Sequence, residues 1–83
     1  MPEEKLIGRI SHFFNNISVG IIDLSDSLAV GDKIHIKGVS TDIEQMVDSM
    51  QIDRKDVPSA FSGEVGIKVS GKVKEGDEVF KIV

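Results

Sequence analysis

The sequence predicts an all-β fold, a small closed antiparallel β-barrel of about six or seven strands. Several short apolar segments alternate with polar residues at a period of two, which is typical of half-buried strands. Eight glycines and two prolines supply turn-forming residues. A chain of 83 residues can build one hydrophobic core, so we expect a single domain over residues 1–83.

The composition limits the functional classes. Fourteen acidic and ten basic residues give a net charge of -4, which does not favour nonspecific nucleic-acid binding. The chain has no Cys, Trp or Tyr, so it lacks thiolate metal ligands and most base-stacking aromatics. No apolar run approaches the ~20 residues of a membrane span, and the acidic N-terminus does not resemble a signal peptide. We therefore expect a cytoplasmic domain with no membrane partner.

The chain begins with a predicted hairpin. Its strands are residues 5–14 and 18–24, and Asn15-Asn16 supplies the turn because asparagine tolerates a positive φ. The alternation of the first strand is imperfect, and its predicted core face carries Leu6, Ile10 and Phe14. One face of the second strand carries Gly20, Ile22 and Leu24.

A Gly-Asp turn followed by an alternating strand occurs twice, in residues 28–38 and in residues 73–83. Turn geometry explains the glycine of each copy. In the first copy Ile34 and Ile36 are predicted to point inward. The predicted outer face of that strand carries Lys33, His35 and Lys37.

Residues 39–52 carry two competing patterns. Residues 41–44 form a capping box, and the apolar positions that follow have helical spacing, so the local pattern favours a helix of about three turns. These apolar positions are Ile43, Met46, Val47 and Met50. The alternative is a strand that needs a bulge near Met46-Val47 to keep its apolar residues inside.

The rest of the chain continues the strand pattern. Residues 53–59 form a charged loop, in which Pro58 disfavours helix at Val57. Residues 78–83 form the last strand. Residues 64–70 alternate strictly, and their apolar face carries Val65, Ile67 and Val69.

Several motifs resemble a known family in their order along the chain. They are Gly-Arg-Ile at 8–10, Val-Gly-Ile-Ile-Asp-Leu at 19–24, Leu-Ala-Val-Gly-Asp-Lys-Ile at 28–34, Ser-Met-Gln-Ile at 49–52, Ala-Phe-Ser-Gly at 60–63, Val-Gly-Ile at 65–67 and Gly-Asp-Glu-Val at 76–79. Together they resemble the β-barrel domain 2 of the translational GTPases, which include elongation factor Tu, over roughly the whole chain. Residues 63–66 are one residue shorter than the family pattern. The chain is also similar to the C-terminal barrel of collagenase-like peptidases, in residues 65–69 and 76–82.

The resemblance implies a barrel of the translation-factor type, with a strand at residues 41–52. The sequence has no Gly-x-x-x-x-Gly-Lys-Ser/Thr loop for nucleotide hydrolysis, so we expect no enzyme activity and no cofactor. A free-standing barrel of this family would be a binding module that docks RNA, the ribosome or a translation protein. The alternative is an accessory protein-interaction domain that recruits or stabilises an enzyme partner, with no RNA role. We expect a monomer or a weak homodimer, since an open sheet edge would pair with a second copy.

Candidate binding residues are few. A small basic spot for RNA phosphate or an acidic protein is predicted from Arg9, Lys37, Arg54 and Lys55. The alternative is that residues 53–56 form only a solvated loop. Phe61 is flanked by small residues after a loop, so it could be an exposed anchor, although a phenylalanine here is more often a plug inside the barrel.

The remaining candidates are expected to be structural. His12 and His35 are predicted to lie on strand surfaces, because no spacing of His, Asp and Glu supplies the three or four ligands of a zinc site. Met46 and Met50 are predicted to lie in the core and not in an adaptable binding groove.

Overall fold

The computed structural model describes residues 3–53 and 55–82, and within them the chain forms ten β-strands and no helix. No helix long and apolar enough to span a membrane is therefore found in this part of the chain. The strands are β1 (Glu4–Phe14), β2 (Val19–Leu24), β3 (Leu28–Ala29), β4 (Lys33–Lys37), β5 (Asp42–Met46), β6 (Met50–Ile52), β7 (Lys55–Asp56), β8 (Ser59–Ala60), β9 (Gly63–Lys68) and β10 (Glu78–Ile82).

Eight strands form one antiparallel sheet in the order β5-β4-β10-β1-β2-β9-β6-β7, and β3 pairs with β8 separately. The predicted all-β antiparallel fold is confirmed. The closed barrel of about six or seven strands is not confirmed, because β5 and β7 end the sheet without pairing to each other in the described residues.

One side chain bridges part of the gap beside β5. Nε2 of Gln45 donates to the carbonyl of Lys68 at 2.8 Å, and Oε1 of Gln45 accepts from the backbone N–H of Ser70 at 2.8 Å. The amide thus makes the two hydrogen bonds that a neighbouring strand would make with its backbone. Its bonds to this segment partly cover the edge that β5 presents.

The core consists of apolar side chains from the eight-stranded sheet, from β3 and from Val47 between β5 and β6. Its fully buried members are Ile7, Ile10, Ile22, Leu28, Ile34, Ile36, Val47, Met50, Val65, Ile67 and Val79. The inward positions predicted for β4 and β9 are therefore confirmed, and Val69 after β9 is buried as well. Because apolar and polar residues alternate strictly in these two strands, their inward positions could be predicted from the sequence.

The predicted core face of β1 is wrong at two of its three positions. Leu6 is 42% exposed and Phe14 is 43% exposed, whereas Ile7 and Ile10 are buried. The pairing of β1 shifts register once against β10 and once against β2. Each irregularity moves the following side chains to the opposite face.

Within residues 39–52 the chain forms two strands, β5 and β6, and not the helix that the local pattern favours. The family resemblance implied a strand over residues 41–52. The predicted bulge is a complete break, since β5 pairs with β4 while β6 pairs with β9. Val47 anchors the break through backbone hydrogen bonds of 2.9 Å with Gly31 and with Asp32. Met50 is buried as predicted, but Met46 is 56% exposed, so its assignment to the core is wrong.

Candidate functional site

Among the predicted basic residues that the structure describes, only Arg9 and Lys37 come together. Arg9 and Lys37 line one shallow depression of about 660 Å³. Glu75, Asp77 and Glu78 line the same depression, and Nη2 of Arg9 lies 4.0 Å from Oε2 of Glu78. Carboxylates outnumber cations at this surface, which does not favour a bound phosphate.

Lys55 and Phe61 lie elsewhere. Lys55 is in β7, which β2, β9 and β6 separate from β1. Arg54 lies outside the described residues. Phe61 follows β8 and is 75% exposed, so the interpretation of Phe61 as a barrel plug is wrong. Its role as an exposed anchor stays a prediction.

A larger concave surface lies across β1, β2, β9 and β6 and has a volume of about 820 Å³. The apolar side chains of this surface, the apolar groove, are Phe14, Ile17, Val19 and Ile21. Its polar side chains are His12, Gln51, Asp53 and Glu64. Because Ile17 is 61% exposed and Phe14 is 43% exposed, the groove offers apolar surface to another molecule.

A glycine keeps the floor of the apolar groove open. Gly66 lies opposite Ile21 in the pairing of β9 with β2. A Cβ atom at Gly66 would lie 3.4 Å from both Cδ1 of Ile21 and Cγ1 of Val19, so a side chain there would occupy the groove. The sequence did carry a signal for this surface, because both faces of the β2 strand are apolar.

The two histidines have different environments. His12 is on the strand surface as predicted, with its Nδ1 atom 3.2 Å from Oε1 of Glu75 and its ring centroid 4.4 Å from that of Phe14. His35 also points away from the aliphatic core, but it is only 8% exposed. The prediction of a simple surface histidine is therefore wrong for His35.

Three acidic residues surround the His35 ring. Its Nδ1 atom lies 2.6 Å from Oε2 of Glu4 and 4.0 Å from Oε1 of Glu44, and its Nε2 atom is hydrogen-bonded to Oδ1 of Asp42. The hydrogen bond with Asp42, followed by that with Glu4, raises the pKa of His35 above its ordinary value, and burial opposes this rise. Sequence spacing did not reveal this group because its members come from three strands.

Comparison with curated proteins finds one informative relative. No protein-family model matches the chain. The chain is 46% identical over 76 residues to an uncharacterized protease of Methanocaldococcus jannaschii. The alignment covers 89% of this chain and 19% of that protein, so the chain corresponds to a small segment of its relative.

Solved structures with the same fold come from Geobacillus thermoleovorans. The C-terminal domain of a protein described as a U32 peptidase aligns with a TM-score of 0.86 and 12% identity, over 93% of this chain and 91% of that domain. Its selenomethionine variant aligns with a TM-score of 0.85 and 13% identity, over 90% and 96%. The similarity to collagenase-like peptidases agrees with these findings, whereas the resemblance to domain 2 of translational GTPases gains no support. The chain has the fold of a U32 peptidase C-terminal domain.

Proposed function

We propose that this chain is a non-catalytic accessory module that binds the catalytic unit of a peptidase, with no RNA role. The observation that carries the proposal is the 46% identity to a segment making up 19% of an uncharacterized protease. Most of the relative's length lies outside that segment and is available to form the catalytic unit. The fold likeness to a domain from a protein described as a peptidase supports the same association.

The contacts of the two histidines support a non-catalytic role. In the described residues the side chain of His12 hydrogen-bonds to Glu75, and that of His35 hydrogen-bonds to Glu4 and Asp42. A serine or threonine nucleophile needs a base within hydrogen-bond reach, and neither histidine has such a hydroxyl as its partner. We therefore assign peptide hydrolysis to the partner unit.

The apolar groove is the surface that we assign to this contact. Its apolar floor favours burial against a partner, and its acidic side chains Asp53 and Glu64 favour basic neighbours. The complementary surface would therefore present apolar side chains flanked by Lys or Arg. The depression beside Arg9 and Lys37 is less suited to RNA, because three carboxylates line it.

Binding in solution tests the proposal. The Methanocaldococcus jannaschii relative is prepared without the segment that matches this chain and is mixed with the 83-residue chain. Sedimentation velocity and calorimetry should detect a one-to-one complex with a Kd of about 10 µM or tighter. Absence of a complex at about 100 µM, with the truncated relative folded, would contradict the accessory role.

Two substitutions test the apolar groove separately. Gly66→Val should fill it and Ile17→Ala should remove exposed apolar surface, and each should weaken the complex about tenfold. Val30→Ala is the matched control, because Val30 is another exposed aliphatic residue, at 44%, that does not line the groove. If all three variants bind like the unmodified chain, the groove is not the docking surface, although the accessory role would stand.

Two further measurements test the remaining parts of the proposal. The chain alone should release no peptides from a casein substrate, and hydrolysis that persists after repeated purification would refute the non-catalytic role. Titration with tRNA and with ribosomal particles should show no binding. Binding that falls with salt, with a slope reduced by Arg54→Ala together with Lys55→Ala, would refute the absence of an RNA role.

A further inference from the structure

The group around His35 contains three potential metal ligands from separate parts of the sheet. Glu4 is the first residue of β1, His35 lies at the centre of β4, and Glu44 lies at the centre of β5. One donor atom from each of the three side chains lies within 4.8 Å of the others. Imidazole nitrogen and carboxylate oxygen together suit divalent ions such as Zn²⁺.

The distances are close to those of a coordinated ion. Zn–N and Zn–O bonds of about 2.0–2.2 Å in a tetrahedron place neighbouring ligand atoms about 3.3–3.5 Å apart. The Nδ1 atom of His35 is 2.6 Å from Oε2 of Glu4 and 4.0 Å from Oε1 of Glu44. Each carboxylate would therefore need to shift by less than about 1 Å.

A separate contact orients the histidine for coordination. Asp42 accepts a hydrogen bond from Nε2 of His35, so Nδ1 is the nitrogen that faces Glu4 and Glu44. Metal-binding histidines commonly donate their second N–H to a carboxylate, which fixes the ring and makes the coordinating nitrogen more basic. Asp42 occupies this supporting position. It distinguishes the group from a simple set of neighbouring acids.

The charge around His35 also favours a cation. Glu4, Asp42 and Glu44 present three carboxylates to one imidazole. Lys33 offsets part of this charge, with Nζ 3.8 Å from Oε2 of Glu44. The His35 side chain is 10% exposed whereas that of Glu44 is 52% exposed, so an ion can reach the buried nitrogen from the Glu44 side.

We propose that Glu4, His35 and Glu44 bind a divalent transition-metal ion, with Nδ1 of His35 as the central ligand and Asp42 as the residue that positions it. Water completes the coordination. The ion links β5, at the edge of the sheet, to β1 across β4 and β10. Without the ion, a protonated His35 donates hydrogen bonds to Glu4 and Asp42.

Zinc titration of the tag-free chain, after treatment with a chelator, tests the site. Calorimetry should detect one site per chain with a Kd below about 10 µM, and His35→Gln and Glu44→Gln should each weaken it at least about tenfold. Nitrogen NMR of the unmodified chain should show a shift of the His35 Nδ1 resonance on addition of Zn²⁺. This second measurement does not depend on the folding of a variant.

His12 provides the matched control. It is the other histidine with a carboxylate partner, Glu75, at 3.2 Å, and it is not part of the three-ligand group. His12→Gln should leave zinc affinity unchanged, and the His12 resonances should stay in place. Equal zinc affinity of the His35→Gln and unmodified chains, or an unchanged His35 Nδ1 resonance at saturating Zn²⁺, would overturn the proposal.

Discussion

The two Gly-Asp segments, residues 29–37 and 74–82, begin with the same turn. In Gly31-Asp32 and Gly76-Asp77 alike, the aspartate N–H donates to the carbonyl three residues earlier, at 3.1 Å. The aspartate Oδ2 accepts from the N–H of that same residue, at 2.9 Å in the first turn and 2.8 Å in the second. The glycines have φ values of 97° and 91°, as the third residue of a type II turn requires. One local sequence has produced the same local structure twice.

The surroundings of the two turns differ. The Asp32 side chain is 34% exposed and lies 3.9 Å from Nζ of Lys81. Asp77 is only 6% exposed, and a Cβ atom at Gly38 would collide with its Oδ1 atom. The strands that follow are paired neighbours, with His35 opposite Phe80. The local sequence therefore decides the turn, while the packing around each copy decides how strongly the fold depends on it.

The largest expected effect is at Gly38, where Gly38→Ala places its Cβ atom against the buried Asp77 carboxylate. Asp77 cannot move away without losing its hydrogen bond to the N–H of Lys74, so we expect a loss of about 3 kcal/mol in the free energy of unfolding. Urea denaturation measures this loss in the free energy of unfolding. The double variant with Asp77→Ala should lose less than the sum of the single losses, and additive losses would contradict the proposed clash.

The aspartates themselves come next. Asp77→Ala should cost about 2 kcal/mol, because it leaves a space at a buried position and removes the acceptor of the Lys74 N–H. Asp32→Ala should cost about 1 kcal/mol, since the Asp32 side chain is 34% exposed and water can take its place. Chemical denaturation of both variants measures the difference, and Asp77→Asn is a control that keeps the acceptor and most of the volume. Equal losses at the two positions would show that burial does not separate the turns.

Substitution of either turn glycine should lower the free energy of unfolding by a similar amount. Gly31 and Gly76 have positive φ values, and a Cβ atom added to either meets nothing within 4 Å. Gly31→Ala and Gly76→Ala therefore test backbone strain alone, and each should cost about 1 kcal/mol. Urea denaturation of the two variants should give losses that agree with each other. A clearly larger loss at one glycine would mean that the turns differ locally as well.

The sequence revealed features that depend on neighbours along the chain. The repeated turn and the buried alternation of Ile34 with Ile36 were predicted because each depends on a few consecutive residues. The core face of β1 was not predicted correctly, because its irregular pairing depends on β10 and β2. The structure of residues 42–52 was still harder to predict. Their apolar residues have helical spacing, but the segment forms strands because it pairs with two different strands, β4 and β9.

The same reasoning applies to the candidate sites. The described residues of the predicted basic spot, Arg9, Lys37 and Lys55, lie on three different strands, and of these only Arg9 and Lys37 share a surface. The group around His35 was missed because Glu4 lies 31 residues away in sequence. The apolar groove was not predicted either, although the apolar second face of β2 indicates that something covers that face or binds to it.

The smallest expected effect is on the pH dependence of stability. It arises at the central residue of the strand that follows each turn, which is His35 in β4 and Phe80 in β10. Hydrogen bonds from His35 to Asp42 and Glu4 raise the pKa of His35 in the folded chain. A raised pKa stabilises the fold fully below the unfolded value of about 6.5, and this stabilisation is lost as pH rises through the folded pKa. With a chelator present, Tm should therefore fall as pH rises above the unfolded value of about 6.5. His35→Phe, which copies the residue of the second segment, should flatten this fall, whereas His12→Gln should preserve it. An equal fall in the His35→Phe and unmodified chains, measured by circular dichroism, would show that His35 does not control it.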